Sequence, residues 1–160
     1  MALVGLVVVS HSRALAEAAV ELSLQMVHGT RPEIVVAAGT PEGGFGTDAT
    51  QVADAVRAAD RGAGVVVLMD LGSAVLSAEF AMELVEDANA ILVAAPFVEG
   101  LLAATVRAAT GGTREEVADE ARAALGPKLA ALGPDFPADE EPLEKPGEVP
   151  WAADAETRVT

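Results

Sequence analysis

Four stretches of the chain are strand-length and almost continuously apolar: LVGLVVV from Leu3, EIVVAA from Glu33, VVVLM from Val65 and AILVAA from Ala90. Runs of this kind, bounded by turn residues, suit strands buried on both faces. Between them the apolar spacing lengthens to a helical period. Leu15, Ala19, Leu22 and Met26 are expected to form the buried stripe of a first helix, capped by Ser12 and ending near His28-Gly29, with Pro32 beyond. Gly39 to Gly46 reads as a loop. Asp48 with Gln51 resembles a capping box for a second helix, whose inward face is Val52, Ala55, Val56 and Ala59. A third helix begins at Leu71-Gly72-Ser73, with Leu76, Phe80 and Leu84 on its apolar side. Pro96 suits the first turn of a fourth, which Gly111-Gly112 stops after about Thr110. Thr113 with Glu116 is a capping box for a fifth helix, fading near Gly126-Pro127 or Gly133-Pro134.

Strands alternating with helices mean an α/β fold: an open, mainly parallel four-stranded sheet with helices on both faces. Right-handed crossovers give the order 2-1-3-4. The winding then reverses between strands one and three, and ligands in such sheets bind at the carboxyl ends of the strands flanking that reversal. Those two strand ends carry His11 and Asp70.

Composition narrows the options. Of 160 residues just over half are apolar, with only four Phe, one Trp and no Tyr, so the core is built from small aliphatic side chains. The length suits one domain with a real core. From Pro134 to Thr160 there are eight acids, two bases and five of the nine prolines. Such a stretch buries too little apolar surface to offset its ordering entropy. The expected division is a globular domain over residues 1–132 and a Pro-rich acidic linker or tail over 133–160. The formal net charge is −15, of which −9 belongs to the residues before Pro134. That argues against nucleic acid and anionic membranes and favours a partner with a basic face. There is no cysteine, which excludes disulfides, thiolate metal sites and cysteine nucleophiles. The N-terminal apolar run is too short for a membrane span and lacks the basic lead of a signal peptide, so a cytoplasmic location is expected.

A neutral imidazole is a competent nucleophile near neutral pH. If one ring nitrogen of His11 attacks phosphorus, the other must keep its proton and face an acceptor. Asp70 can fix that tautomer and offset the charge that develops on the ring. The phosphoryl oxygens need donors, for which the candidates are Ser10, Ser12, Gly72 and Ser73 at two helix starts, and Thr47 from the neighbouring loop. Plainer roles stand beside these. A strand-end histidine is often structural, an aspartate there often only caps the next helix, and Gly43-Gly44-Phe45-Gly46 lacks Walker spacing and its lysine and reads as a turn. Arg13 either steadies a phosphate or partner or is a solvated helix-start residue; His28 reads as a surface residue. No metal-ligand cluster accompanies His11.

The segments VVVSHSRALAEAAVELSLQM, EGGFGTDA, VVVLMDLGSAVLSAE and APFVEGLLAATVRAA resemble, in this order, the phosphoryl-donor subunits of phosphoenolpyruvate-dependent dihydroxyacetone kinase. These belong with the mannose-type IIA phosphocarriers of the sugar phosphotransferase system. The likeness covers about residues 1 to 132, and SHS with LAE, and MDLGSAV, are its most specific pieces. It implies a phosphotransferase subunit with His11 phosphorylated on its outer ring nitrogen and Asp70 as the orienting partner. The phosphoryl group is expected from the histidine carrier protein HPr, charged from phosphoenolpyruvate. The acceptor is expected to be ADP on the kinase's nucleotide-binding subunit, which would also hold any magnesium. No cofactor, nucleic acid or membrane is implied for this chain, and family members are homodimers. Some relatives continue into an HPr-like domain, and Ala155 to Thr160 resembles the opening strand of one, so 133–160 is either a linker to it or a plain tail. The rival readings are a mannose-type sugar carrier, a regulatory module that only senses phosphorylation, and a flavodoxin-like binding domain, for which aromatics are scarce.

Overall fold

In a computed structural model of the chain, which describes residues 1–133, the apolar runs become β1 (Gly5–Ser10), β2 (Ile34–Ala38), β3 (Val65–Met69) and β4 (Ala90–Leu92). All pair in parallel in the order β2-β1-β3-β4, the arrangement expected from the sequence. The register pairs Ser10 with Ala38 and Val9 with Met69, so β1, β2 and β3 end level with one another. Between and after the strands run α1 (Arg13–Leu24), α2 (Ala49–Ala59), α3 (Gly72–Leu84), α4 (Phe97–Ala109), α5 (Arg114–Ala123) and α6 (Gly126–Leu132). The chain divides into two units, Met1–Pro127 and Lys128–Thr160. The first holds the whole sheet and helices α1 to α5. Of the segment expected as a linker or tail, only Gly133 falls within the described residues.

Alternation along the buried strands sends Leu6, Val8, Val66 and Leu68 to one face, where they meet α1, α4 and α5. Val7, Val9, Val65, Val67 and Met69 meet α2 and α3 on the other. Two helical layers over a parallel sheet bury β1 and β3 throughout, while the edge strands β2 and β4, expected to be buried on both faces, stay partly exposed. The layers approach closely: a Cβ on Gly5 would lie 2.1 Å from the carbonyl oxygen of Ala59 at the end of α2, so only glycine fits there.

Two helices present a different face from the one their large apolar residues suggest. On α1 the inward residues are Ala16, Ala19 and Ser23, while Leu15, Leu22 and Met26 of the expected stripe are about half exposed. On α3 they are Ala74, Ala78 and Ala81, and Leu76, Phe80 and Leu84 face outward. The strands already fill the interlayer space with Val and Leu, so each helix seats its alanine row, which permits the closest approach. On α2 no such conflict exists, and Val52, Ala55, Val56 and Ala59 are buried as expected.

Boundaries shift in three places. α1 stops at Leu24, and i→i+3 bonds carry the chain from Leu22 to Val27 before Gly29 turns it. β4 ends at Leu92; the Val93 amide still reaches the Val67 carbonyl at 3.2 Å, but residues 94–96 leave the ladder as the chain turns into α4. Pro96 sits at the N-cap of α4, one position before its first turn. Asp48 caps α2 alone, through the Thr50 amide at 2.9 Å, with no reciprocal bond from Gln51. The Thr113–Glu116 box forms in full.

Candidate functional site

Because β1 and β3 are paired and end level, the residues just past them are neighbours. The Asp70 amide donates to the Val9 carbonyl at 3.1 Å, the last rung of that ladder. His11 Nδ1 then lies 2.9 Å from Asp70 Oδ1, and the His11 amide donates to Oδ2, also at 2.9 Å. Oδ1 further accepts the Leu71 amide at 2.7 Å, and Oδ2 accepts the Ser10 hydroxyl at 2.9 Å. The Asp70 side chain is only 8% exposed, against 24% for His11. Burial pushes the Asp70 carboxyl up, but the amide and ring of His11, the Leu71 amide and the Ser10 hydroxyl together hold it below its ordinary value.

An ionised carboxylate only accepts, so Nδ1 carries the proton of the imidazole. In the neutral ring Nε2 is then the lone-pair nitrogen. It points toward the exposed Ser73 at the start of α3, whose Oγ is 2.5 Å away and donates to the neutral ring. The ring is gripped from behind by a charge and presents its nucleophilic atom at the surface. Such an arrangement is able to activate a histidine as a nucleophile.

The other expected residues divide. Ser10 is fully buried; its Oγ accepts the Ser12 amide at 3.1 Å while donating to Asp70, so it supports the carboxylate from inside. The Ser12 hydroxyl caps α1 through the Leu15 amide at 3.2 Å. Gly72 and Ser73 open α3, whose N-cap is Leu71, and no side chain caps that helix. The first-turn amides of α3 are therefore without a side-chain acceptor, beside Nε2. Thr47 does not bond to His11: its Oγ1 lies 2.6 Å from Ser77 Oγ, one turn along α3 from Ser73. Ser77 was not expected at the site, though its i, i+4 spacing from Ser73 was visible in the sequence. The loop before Thr47 is tied to the site by its backbone, the Gly46 amide donating to the His11 carbonyl at 2.9 Å. Gly46 has φ 150°, and a Cβ there would come within 2.9 Å of the Thr40 methyl. Among the described residues no group of three His, Cys, Asp or Glu side chains could hold a metal ion, and no helix is long and apolar enough to cross a membrane.

Comparison with known proteins adds to this geometry. Residues 5–118 match the family described as PTS system fructose IIA component. The chain is 45% identical over 136 residues to the PEP-dependent dihydroxyacetone kinase, phosphoryl donor subunit DhaM, of Escherichia coli (strain K12), covering 82% of this chain and 29% of that protein. The chain thus spans less than a third of that relative's length. It is 32% identical over 121 residues to the phosphoryl donor subunit DhaM of PEP-dependent dihydroxyacetone kinase 2 of Listeria innocua, covering 74% of this chain and 96% of that one. The crystal structure of EF1359, a protein of unknown function, superposes with a TM-score of 0.63 at 32% identity over 73% of this chain and 91% of that one.

Proposed function

The chain belongs to the family of PTS system fructose IIA components, among the phosphoryl donor subunits of phosphoenolpyruvate-dependent dihydroxyacetone kinase, and from that premise we propose that it is a phosphohistidine carrier. It takes a phosphoryl group from HPr onto Nε2 of His11 and passes it to ADP held on the nucleotide-binding subunit of the kinase. The observation that carries this reading is the His11–Asp70 contact, which leaves Nε2 unprotonated and facing outward.

In the first step the Nε2 lone pair attacks the phosphorus of the donor's phosphohistidine. An N–P bond forms on His11 as the donor's N–P bond breaks and its electron pair returns to the donor ring. No proton moves. Nδ1 keeps its hydrogen, and Asp70 offsets the positive charge that the ring acquires. In the second step a terminal oxygen of ADP attacks the same phosphorus, the new O–P bond makes ATP, and the electron pair returns to Nε2. Exchange between two histidines is near balance, so the chain's task is positioning. Ser73, displaced from Nε2 by the phosphoryl group, donates to one of its oxygens, together with the Gly72 and Ser73 amides. Ser10 and Ser12 act behind the site, and Thr47 enters it if it exchanges Ser77 for phosphate.

The chain works as a homodimer in the cytoplasm on this reading. The exposed Leu76, Phe80 and Leu84 of α3 support self-association. The test is phosphorylation by phosphoenolpyruvate, the first enzyme of the system and HPr, followed by intact mass. One acid-labile phosphate is expected, absent in His11→Ala and discharged on adding the ADP-loaded kinase subunit. Stoichiometric labelling of His11→Ala overturns the assignment, and a phosphate that ADP does not discharge moves the reading to a sugar carrier or a regulator.

A further inference from the structure

Three exposed apolar side chains bracket His11, one from each strand end beside it. Leu15 follows β1 and is 45% exposed, Phe45 follows β2 and is 85% exposed, and Leu71 follows β3 and is 61% exposed. Phe45 stands out because its loop is not slack. The Thr40 amide donates to the Gly44 carbonyl, the Gly43 amide to the Thr40 carbonyl, the Gly44 amide to Thr40 Oγ1 and the Gly46 amide to the His11 carbonyl, all at 2.9–3.0 Å. The tied turn spans residues 40–44, and Phe45 follows it with its ring in solvent, one residue before the Gly46 amide that bonds to the His11 carbonyl, so its apolar surface serves no packing in the fold. With the backbone around Phe45 already fixed, docking through its ring has only two side-chain torsions left to order, which suits an aromatic anchor.

The domain is acidic as a whole, with a net charge of −9 before Pro134. Arginines at the amino end of the strands are paired: Arg57 with Asp54, Arg61 with Glu33, Arg107 with Glu116 and Arg114 with Glu115. At the carboxyl end, the segment joining β2 to α2 holds the exposed Glu42 and the half-buried Asp48, and the charge of Arg13 at the start of α1 is offset by Glu17 at 3.6 Å. An acidic rim attracts a basic face. A phosphorus atom reaches reacting distance of Nε2 only at about 3–3.5 Å. A protein delivering it must therefore rest on this rim, whereas a small donor need not.

Resting on the carrier reading above, we infer that Phe45, flanked by Leu71 and Leu15, is the docking anchor for a protein that presents a phosphohistidine from a basic face. Phe45 touches the partner, not the phosphoryl group, and so governs the encounter and not the chemistry.

Two donors separate those roles in the full chain: phosphorylated HPr, and phosphoramidate as a small chemical donor, each read as the rate of phosphate gain on His11. Phe45→Ala is expected to lower kcat/KM with phospho-HPr roughly tenfold or more, mainly through KM. Phosphoramidate labelling should stay within about twofold of the parent, and Phe45→Leu should recover part of the loss. Glu42→Lys should slow the HPr reaction several-fold at low salt and less at high salt. An unchanged HPr rate in Phe45→Ala overturns the inference. So does equal slowing with both donors, or a change in oligomeric state, which would put Phe45 in a different interface. If His11 of the parent takes phosphate from neither donor, the carrier reading itself falls, and this surface with it.

Discussion

Asp70 accepts four hydrogen bonds, two of them from the backbone amides of His11 and Leu71, which Asp70→Asn leaves in place. In Asp70→Asn one carboxylate oxygen becomes an NH2 group facing donors, and the charge opposite Nδ1 is lost. Transfer through His11 is expected to fall roughly 100-fold, while stability drops by about 1–2 kcal/mol. Quenched-flow transfer and urea unfolding measure the two effects separately, and an unchanged transfer rate would leave Asp70 a structural acceptor that ties the turns after β1 and β3 together. The pH dependence has a defined sign. The folded carboxyl titrates below the ordinary 3.8, so the unfolded chain binds its proton first as pH falls. Asp70 thus adds stability in full well above pH 3.8, and that increment is lost as pH drops through the folded value. The stability gap between the parent and Asp70→Asn should therefore be widest near neutrality and narrow below about pH 4. His11 and Asp70 were both legible in the sequence because each ends an apolar run. The inward turn of Ser10 was not, since nothing in Ser-His-Ser distinguishes a hydroxyl that supports a carboxylate from one that meets a ligand.

Helices α1 and α3 show where a hydrophobicity pattern misleads. The pattern ranks side chains by size and selects Leu15, Leu22 and Met26, or Leu76, Phe80 and Leu84. Packing against filled strands selects shape, and alanines at the same helical spacing win. In so alanine-rich a chain two stripes compete on one helix, and composition cannot decide between them. α2 was readable because its valines and alanines share a face. The two readings of α1 predict opposite outcomes. Ala16 is fully buried, so Ala16→Leu should overpack the layer and cost about 1–3 kcal/mol. Leu22 is half exposed, and Leu22→Ala should stay within about 0.5 kcal/mol. Chemical denaturation of the pair gives the answer; a larger loss in Leu22→Ala would restore the leucine stripe as the buried face.

At the scale of the whole molecule the sheet order was legible, because four buried strands joined by right-handed crossovers leave few arrangements. The site followed from that order, since the reversal between β1 and β3 is what joins residues 59 positions apart. What remains outside the fold is the second stripe of α3: Leu76, Phe80 and Leu84 recur every four residues and lie 68%, 54% and 40% exposed. A chain with net charge −15 repels its own copies, so any self-association must rest on apolar contact strong enough to overcome that repulsion. The α3 stripe is suited to this, as a leucine–phenylalanine ridge can meet its own two-fold copy, with the exposed Glu79 and Glu83 along its edge. The expected state in solution is a dimer of the 16.2 kDa chain that tightens with added salt, the opposite of an ion-paired interface. The paired change Leu76→Glu with Phe80→Glu should yield monomers, with unaltered circular dichroism because both side chains lie outside the core. Sedimentation equilibrium across salt concentrations measures both. A dimer that survives the paired change moves the interface off α3, and a parent that stays monomeric at tens of micromolar removes self-association from the reading altogether.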